Sequence, residues 1–188
     1  AFMGSYYAQK VLGRTEPKVG LLNIGTEPSK GASLQQQAHA LLTEAGQAGR
    51  IRFTGNVEAR EAVFGEVDVI VSDGYSGNIF LKTMEGTGGF MTKQLKAMFK
   101  KNLTAKLAAV LVADGLKDFK KLIDAGEVGG TPLLGISKPV IKAHGSSDCY
   151  AFKIAIRLAA DFAASGLIAD FTENIEYMRL PVNKMEKF

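Results

Sequence analysis

Short β-branched runs and longer helical stripes alternate along this chain, with few residues between them. Val67, Val69, Ile70 and Val71 form one such run, predicting a strand buried on both faces. The run stops at Ser72-Asp73-Gly74, and a helical pattern begins after Tyr75-Ser76-Gly77-Asn78. Val19 to Gly25 reads as a second buried strand that enters a glycine turn. Ile51 to Gly55 reads as a third, with Asn56-Val57-Glu58 opening a short helix through Phe64-Gly65. Ahead of all three, Phe2, Met3, Tyr6, Tyr7 and Val11 recur at helical spacing from Phe2 to Leu12, ended by Gly13. A loop at residues 26–31 leads to Ser33 as an N-cap, after which Leu34, Ala38, Leu41, Leu42 and Ala45 line one helix face until Gly46. Such alternation with short connections predicts a largely parallel sheet with right-handed crossovers.

The pattern changes from Ile79 to Asp124. Two long helical stretches are expected there, interrupted by Gly86, Gly88 and Gly89 and by a turn near Lys101-Asn102. Leu103, Leu107, Val110 and Leu111 fall at i, i+4, i+7 and i+8, and Leu116, Phe119, Leu122 and Ile123 continue the stripe. This hairpin exceeds what a crossover needs. It reads either as a packing or dimer arm, or as a tip that touches a membrane through Lys93, Lys96, Lys100, Lys101 and Lys106. Two short strands follow, around Gly129 to Ile136 and Lys138 to Gly145. Ser146-Ser147-Asp148 then caps a helix carrying Ile154, Ile156, Leu158 and Phe162, and a last short helix near Ile168 to Met178 precedes a polar tail with Pro181 and Lys184. The chain opens inside an apolar pattern, so the expectation is the C-terminal part of a longer protein, lacking its N-terminal part and half of the active site. Alone it is expected to be inactive.

Composition narrows the class. With 188 residues, 46% hydrophobic and 22% charged, the chain can bury a sizeable core. A net charge of +4 concentrates between Lys93 and Lys121 and points to an acidic partner or anionic surface. No basic stripe with interleaved aromatics supports nucleic-acid binding. Cys149, the single cysteine, excludes an intrachain disulfide and suits a reducing cytoplasm. No apolar run reaches the roughly 18 residues of a membrane span.

The chemistry-bearing residues recur beside glycine at strand ends: Asn23 with Gly25, Asn56 after Gly55, Asp73-Gly74 with Ser76-Gly77-Asn78, and His144-Gly145-Ser146-Ser147. In a parallel sheet the first three loops converge on the carboxyl edge, where open α/β sheets bind ligands. Small polar groups and backbone N–H groups there can hold phosphate oxygens and a developing oxyanion, with Lys82 or His144 adding charge or a proton. Bland roles compete: Asn23 and Asn56 can hold turns, Asp73 can be an ordinary Asp-Gly turn residue, and Lys82 can be solvated. His39 reads as a surface residue and Cys149 as packed within its helix. No Walker loop, HExxH, complete dinucleotide fingerprint or G-x-S-x-G elbow is present.

Taken together, VGLLNIGTEPSKG, FTGNVEAREAVFGEVDVIVSDGYSGNIFLKTMEG and GGTPLLGISKPVIKAHGSS resemble, in that order, the C-terminal part of the PlsX family of acyl-[acyl carrier protein]:phosphate acyltransferases. The resemblance covers about Ala1 to Ile175. The turn reads DGYSGN where the family commonly has DGFTGN. The resemblance implies transfer of a fatty acyl group from acyl carrier protein to inorganic phosphate, giving acyl-phosphate for phospholipid synthesis. It also implies a three-layer α/β/α sandwich similar to isocitrate dehydrogenases and phosphotransacetylases, with a mostly parallel sheet and the hairpin at about 79–124 protruding. A cytoplasmic homodimer is expected, with peripheral contact at the inner face of the membrane, and the resemblance implies no organic cofactor or essential metal. Phosphate would lie near Asn78, Ser76 and the turn amides, and His144 or Lys82 would stabilise charge. Two other readings stay open: a CoA-dependent phosphate acetyl- or butyryltransferase, and a non-catalytic docking module for a membrane or carrier protein.

Overall fold

A computed structural model describes residues 1–123, 129–145 and 147–179, the side chains of 120–123 excepted. In chain order the elements are α1 (Phe2–Lys10), β1 (Lys18–Asn23), α2 (Ser33–Gln47), β2 (Arg52–Glu58), α3 (Ala59–Ala62), β3 (Val69–Val71) and α4 (Gly74–Lys100), then α5 (Leu103–Leu111), α6 (Ala113–Ile123), β4 (Gly130–Pro132), β5 (Ile141–Ala143), α7 (Cys149–Ala164), α8 (Leu167–Glu173) and α9 (Ile175–Met178). The chain divides into two compact units. The first holds Ala1–Gly74, Pro132–Val140 and the residues from Ala159 onward; the second holds Tyr75–Thr131 and Ile141–Leu158.

The first unit is built on a parallel sheet in the order β2-β1-β3, the α/β arrangement that strand–helix alternation predicts. Val19 is fully buried with Ala45 of α2 and Ile51, and Phe2, Leu42, Phe53, Val69 and Val71 pack around them. Strand β2 carries an irregularity: Val19 pairs with Phe53 but Gly20 pairs with Gly55, so Thr54 is an extra residue. Its hydroxyl donates to the Val19 carbonyl at 3.1 Å. Gly55 has φ +100, a backbone region closed to most side chains. One inserted residue flips the face presented by everything after it. Asn56 thereby lies opposite Leu21, on the sheet face that carries Val19 and Asn23, rather than on the opposite one.

Several expectations are corrected. Strand β2 runs on to Glu58, so Asn56 lies within the strand and the helix after it has four residues. Strand β3 is not buried on both faces: Val69 and Val71 are half-buried and Ile70, on the other face, is exposed; β3 also edges the sheet. Ser33 is the first residue of α2, not its cap; Ala32 caps without a side-chain bond. His39 is half-buried, its ring edge-on to Phe53 at 5.4 Å. Cys149 is exposed at the start of α7, and Ile156 faces solvent while Ala151, Ala155 and Phe162 carry the buried stripe. Asp148 does cap α7, its carboxylate accepting from the Ala151 amide at 2.8 Å. The last helix is two short ones, parted at Asn174. Pro181 and Lys184 lie outside the described residues.

In the second unit α4 runs unbroken for 27 residues through Gly86, Gly88 and Gly89, which the sequence reading took as interruptions. Three glycines spread over a long helix weaken it by about 1 kcal/mol each relative to alanine, too little to break it. The turn at Lys101-Asn102 is as expected, with the Asn102 side chain capping α5 through the Ala105 amide at 2.8 Å. Beyond it the returning arm is parted at Val112 into α5 and α6.

Opposite stability changes are expected at two glycines. Gly55→Ala should destabilise by about 1 kcal/mol or more through backbone strain alone, since no atom lies within 4 Å of the added methyl. Gly86→Ala, equally open but mid-helix, should stabilise by about 0.5–1 kcal/mol. Urea denaturation midpoints of the two variants, shifting in opposite directions, check the pair.

Candidate functional site

At the carboxyl edge of the three-stranded sheet two buried amides hold one loop. Asn23, 8% exposed at the end of β1, accepts from the Ile24 N–H at 2.8 Å through Oδ1 and donates from Nδ2 to the Lys30 carbonyl at 3.1 Å. Asn56, 9% exposed, donates to the Glu27 carbonyl at 2.8 Å. Residues 24–32 are thus fastened from both neighbouring strands. Gly31 approaches so closely that a Cβ there would lie 2.6 Å from Asn23 Oδ1, and its φ of +85 favours glycine independently. Gly25 is buried beside Lys30 and Glu27, where an added Cβ would press on Lys30 Cγ at 2.8 Å.

Helix α2 leaves this loop and brings in a residue that the sequence reading did not single out. Gln35, in its first turn, donates from Nε2 to Asp73 Oδ2 at 3.1 Å. The third strand end is thereby tied to the same loop-and-helix start, so Asn23, Asn56 and Asp73 gather as the parallel sheet implied. Gln36 donates to the Ser29 and Gly31 carbonyls at 2.8 and 3.1 Å. The available signal was the glutamine run Gln35-Gln36-Gln37 placed one turn into a helix after a glycine loop. Just beyond β2, the exposed Arg60 hydrogen-bonds Glu58 at 2.7 Å, with Glu61 at 3.7 Å, and this bond and charge raise its guanidinium further above its ordinary value. It therefore stays cationic.

One polar atom of this edge is left over. Asn56 Oδ1 is buried and has no hydrogen-bond partner among the described residues. A buried amide oxygen without a donor is unfavourable by about 1–3 kcal/mol.

Gly74 begins α4, so the turn predicted to precede the helix forms its first turns instead. The earliest N–H groups of a helix lack intrahelical acceptors and favour an anion. Ser76 and Gly77 are half-buried there and Asn78 is exposed. Lys82 is exposed and pairs with Glu85 at 2.7 Å, which offsets much of its charge. His144 is exposed, directly after β5, with its carbonyl accepting from Ser147 N–H at 3.0 Å. Residues 76, 77, 78, 82 and 144 belong to the second unit, whereas Asn23, Gly25, Asn56, Asp73 and Gly74 belong to the first. Ser146 lies outside the described residues. Among the described residues no three His, Cys, Asp or Glu gather as metal ligands, and no helix is long and apolar enough to cross a membrane.

With this geometry in view, the sequence profile of a family described as "Fatty acid synthesis protein" matches residues 1–170. The chain belongs to that family. It is 45% identical over 176 residues to a protein named phosphate acyltransferase from Thermoanaerobacterium thermosaccharolyticum, covering 94% of this chain and 52% of that protein. It is 50% identical over 162 residues to the phosphate acyltransferase of Brevibacillus brevis, covering 86% and 47%. With that of Acetivibrio thermocellus it shares 40% over 185 residues, covering 98% and 53%. The chain spans about half the length of the curated relatives it matches.

The amide clamp predicts a local effect. Asn23→Ala removes a donor and an acceptor from a buried site and should destabilise by about 1–3 kcal/mol. Hydrogen exchange should show the Ile24 amide losing protection well before the amides of β1 do. Equal protection of Ile24 in variant and parent would mean that the side chain does not hold the loop.

Proposed function

We propose that this chain is the C-terminal part of a single phosphate acyltransferase domain that moves a fatty acyl group from acyl carrier protein to inorganic phosphate, forming acyl-phosphate for phospholipid synthesis. The observation that carries the reading is the gathering of neutral amide donors and acceptors at the carboxyl edge of a parallel sheet, in a chain whose relatives are named phosphate acyltransferases.

In the proposed reaction a phosphate oxygen attacks the thioester carbonyl carbon. The C–O bond forms, a tetrahedral oxyanion collapses, and the C–S bond breaks with its electron pair going to sulfur. The thiolate takes a proton. Ser76, Asn78 and the amides of residues 74–78 would orient phosphate or receive the oxyanion, with Asn23, Gly25, Asn56, Asp73, Gly77 and Ser146 completing the phosphate and acyl-phosphate contacts. His144 would supply the proton or positive charge. Lys82 could do so only by leaving Glu85. Phosphate is already a competent nucleophile, so orientation and oxyanion stabilisation would supply most of the acceleration. No organic cofactor or metal is needed for these steps.

In this reading the protein is a cytoplasmic homodimer that touches the membrane at its periphery, and the hairpin's exposed apolar residues support the dimer. Leu103, Val110 and Leu111 are more than 70% exposed, and Phe90, Met91 and Met98 are exposed on α4. A second copy covering the arms would remove this surface from water, while Lys100, Lys101 and Lys106 near the turn would meet acidic lipid at about 1 kcal/mol per lysine.

In the full-length enzyme, Asn78→Ala should lower turnover at least about tenfold, as expected for one lost oxyanion-type donor. Unchanged kinetics with acyl-carrier-protein thioester and phosphate would remove Asn78 from the mechanism, and a preference for acyl-CoA would replace the donor. Separately, changing Lys100, Lys101 and Lys106 to glutamate should abolish sedimentation with acidic liposomes at low salt and leave the dimer intact. Loss of the dimer instead would make the hairpin an assembly arm only.

A further inference from the structure

The first turn of α2 carries two successive glutamines that reach different neighbours, since adjacent helix positions diverge by about 100°. Gln36 turns back to the loop behind it, donating to the Ser29 and Gly31 carbonyls at 2.8 and 3.1 Å. Gln35 reaches across to Asp73 Oδ2 at 3.1 Å, and both partners are half-buried. The stem of Gln35 is confined as well as its tip. A Cβ at Gly31 would lie 2.7 Å from Gln35 Cβ and 2.6 Å from Asn23 Oδ1, so only a bare backbone fits between the Asn23 amide and that stem. Asp73 stands directly before Gly74, the first residue of α4. From that position a carboxylate accepts from the earliest helical N–H groups and sets how the first turn is presented.

We infer that Gln35 is a positioning residue: through Asp73 it aims the first turn of α4, residues 74–78, at phosphate. This deepens the acyltransferase reading and rests on it for the identity of the anion. The chemistry of the pair supports the assignment. A hydrogen bond to a carboxylate is stronger than one between neutral groups, so a single amide can hold Asp73 in one orientation. Being neutral, Gln35 does this without adding charge. A lysine or arginine at the same place could also hold Asp73, but it would set beside the phosphate turn a cation able to capture the anion itself. The contact joins α2 to the end of β3 within one compact unit, so it does not depend on what covers the outer faces of the protein. Orientation is also where a small displacement is felt most, since about 1 Å at a reacting group can lower a rate about a hundredfold.

Steady-state kinetics and amide hydrogen exchange of the full-length enzyme test this. Gln35→Met keeps the stem and removes the donor. It should raise KM for phosphate about tenfold, as for one lost hydrogen bond to a charged group. KM for the acyl thioester should stay within about twofold, because that substrate is not held by the turn amides. Exchange at the Tyr75 and Ser76 amides should quicken while the amides of β1 keep their protection. Gln35→Glu sets two carboxylates together and should raise KM for phosphate about a hundredfold. In an Asp73→Asn background the same change should add no more than about twofold, because an asparagine amide can donate to the new carboxylate. Where Asp73→Asn leaves too little turnover, exchange at Tyr75 and Ser76 gives the same comparison.

An unchanged KM for phosphate in Gln35→Met, a loss shared equally by both substrates, or the same penalty for Gln35→Glu in both backgrounds would overturn the inference. Gln35 would then be a tie between α2 and the sheet and nothing more. If the parent enzyme turns over acyl thioester and phosphate normally, any of those results leaves the acyltransferase reading standing. Coupling of residues 35 and 73 in the exchange data, in a parent without turnover, removes the acyltransferase reading and keeps Gln35 as the residue that positions the turn.

Discussion

The carboxyl edge of the sheet depends on two buried asparagine amides reaching the backbone of one loop. A glycine-containing loop of this length carries many peptide groups that must find partners. Asn23 and Asn56 supply them from adjacent strands, and Gln36 supplies two more. Their reach depends in turn on the extra residue at Thr54. Without it, Gly55 would occupy the register position opposite Leu21, and Asn56 would face away from Asn23. A single irregularity therefore sets which amides meet, and the Gly55 backbone makes it affordable.

Much of this was legible in the residues, and the remainder fails for identifiable reasons. Strand–helix alternation gave a parallel sheet whose ends bring Asn23, Asn56 and Asp73 together, and the motif order gave the family. The extra residue was not legible, because β2 reads as a run that stops at glycine and Gly55 gives no sign that the strand resumes. Burial of β3 was overestimated for a related reason: a β-branched run reports what a strand can bury, not what lies beside it. Gln35 was missed because glutamine in a helix is ordinary; only the fold shows that its turn faces Asp73. His39 and Cys149 erred in opposite directions. A polar helical stretch lies against Phe53, and a residue at a helix start is held in solvent.

The hairpin follows a different logic. Helix α4 buries only Gly88 among its 27 residues, so its length is not explained by packing within this chain. Helices of this kind gain most of their stability from an apolar face covered by something else.

The proposed phosphate site would treat an anion through direction more than through net charge. Around the sheet edge the hydrogen-bonding groups are mainly neutral amides; of the cations there, Arg60 is bonded to Glu58 and Lys30 lies in the clamped loop. Neutral donors orient an oxyanion through direction, whereas a lysine attracts it through net charge and draws electron density from its oxygens. For a reaction in which phosphate must itself attack carbon, orientation with little charge withdrawal keeps the nucleophile reactive. Donors aimed at the carbonyl oxygen then act only as negative charge develops there.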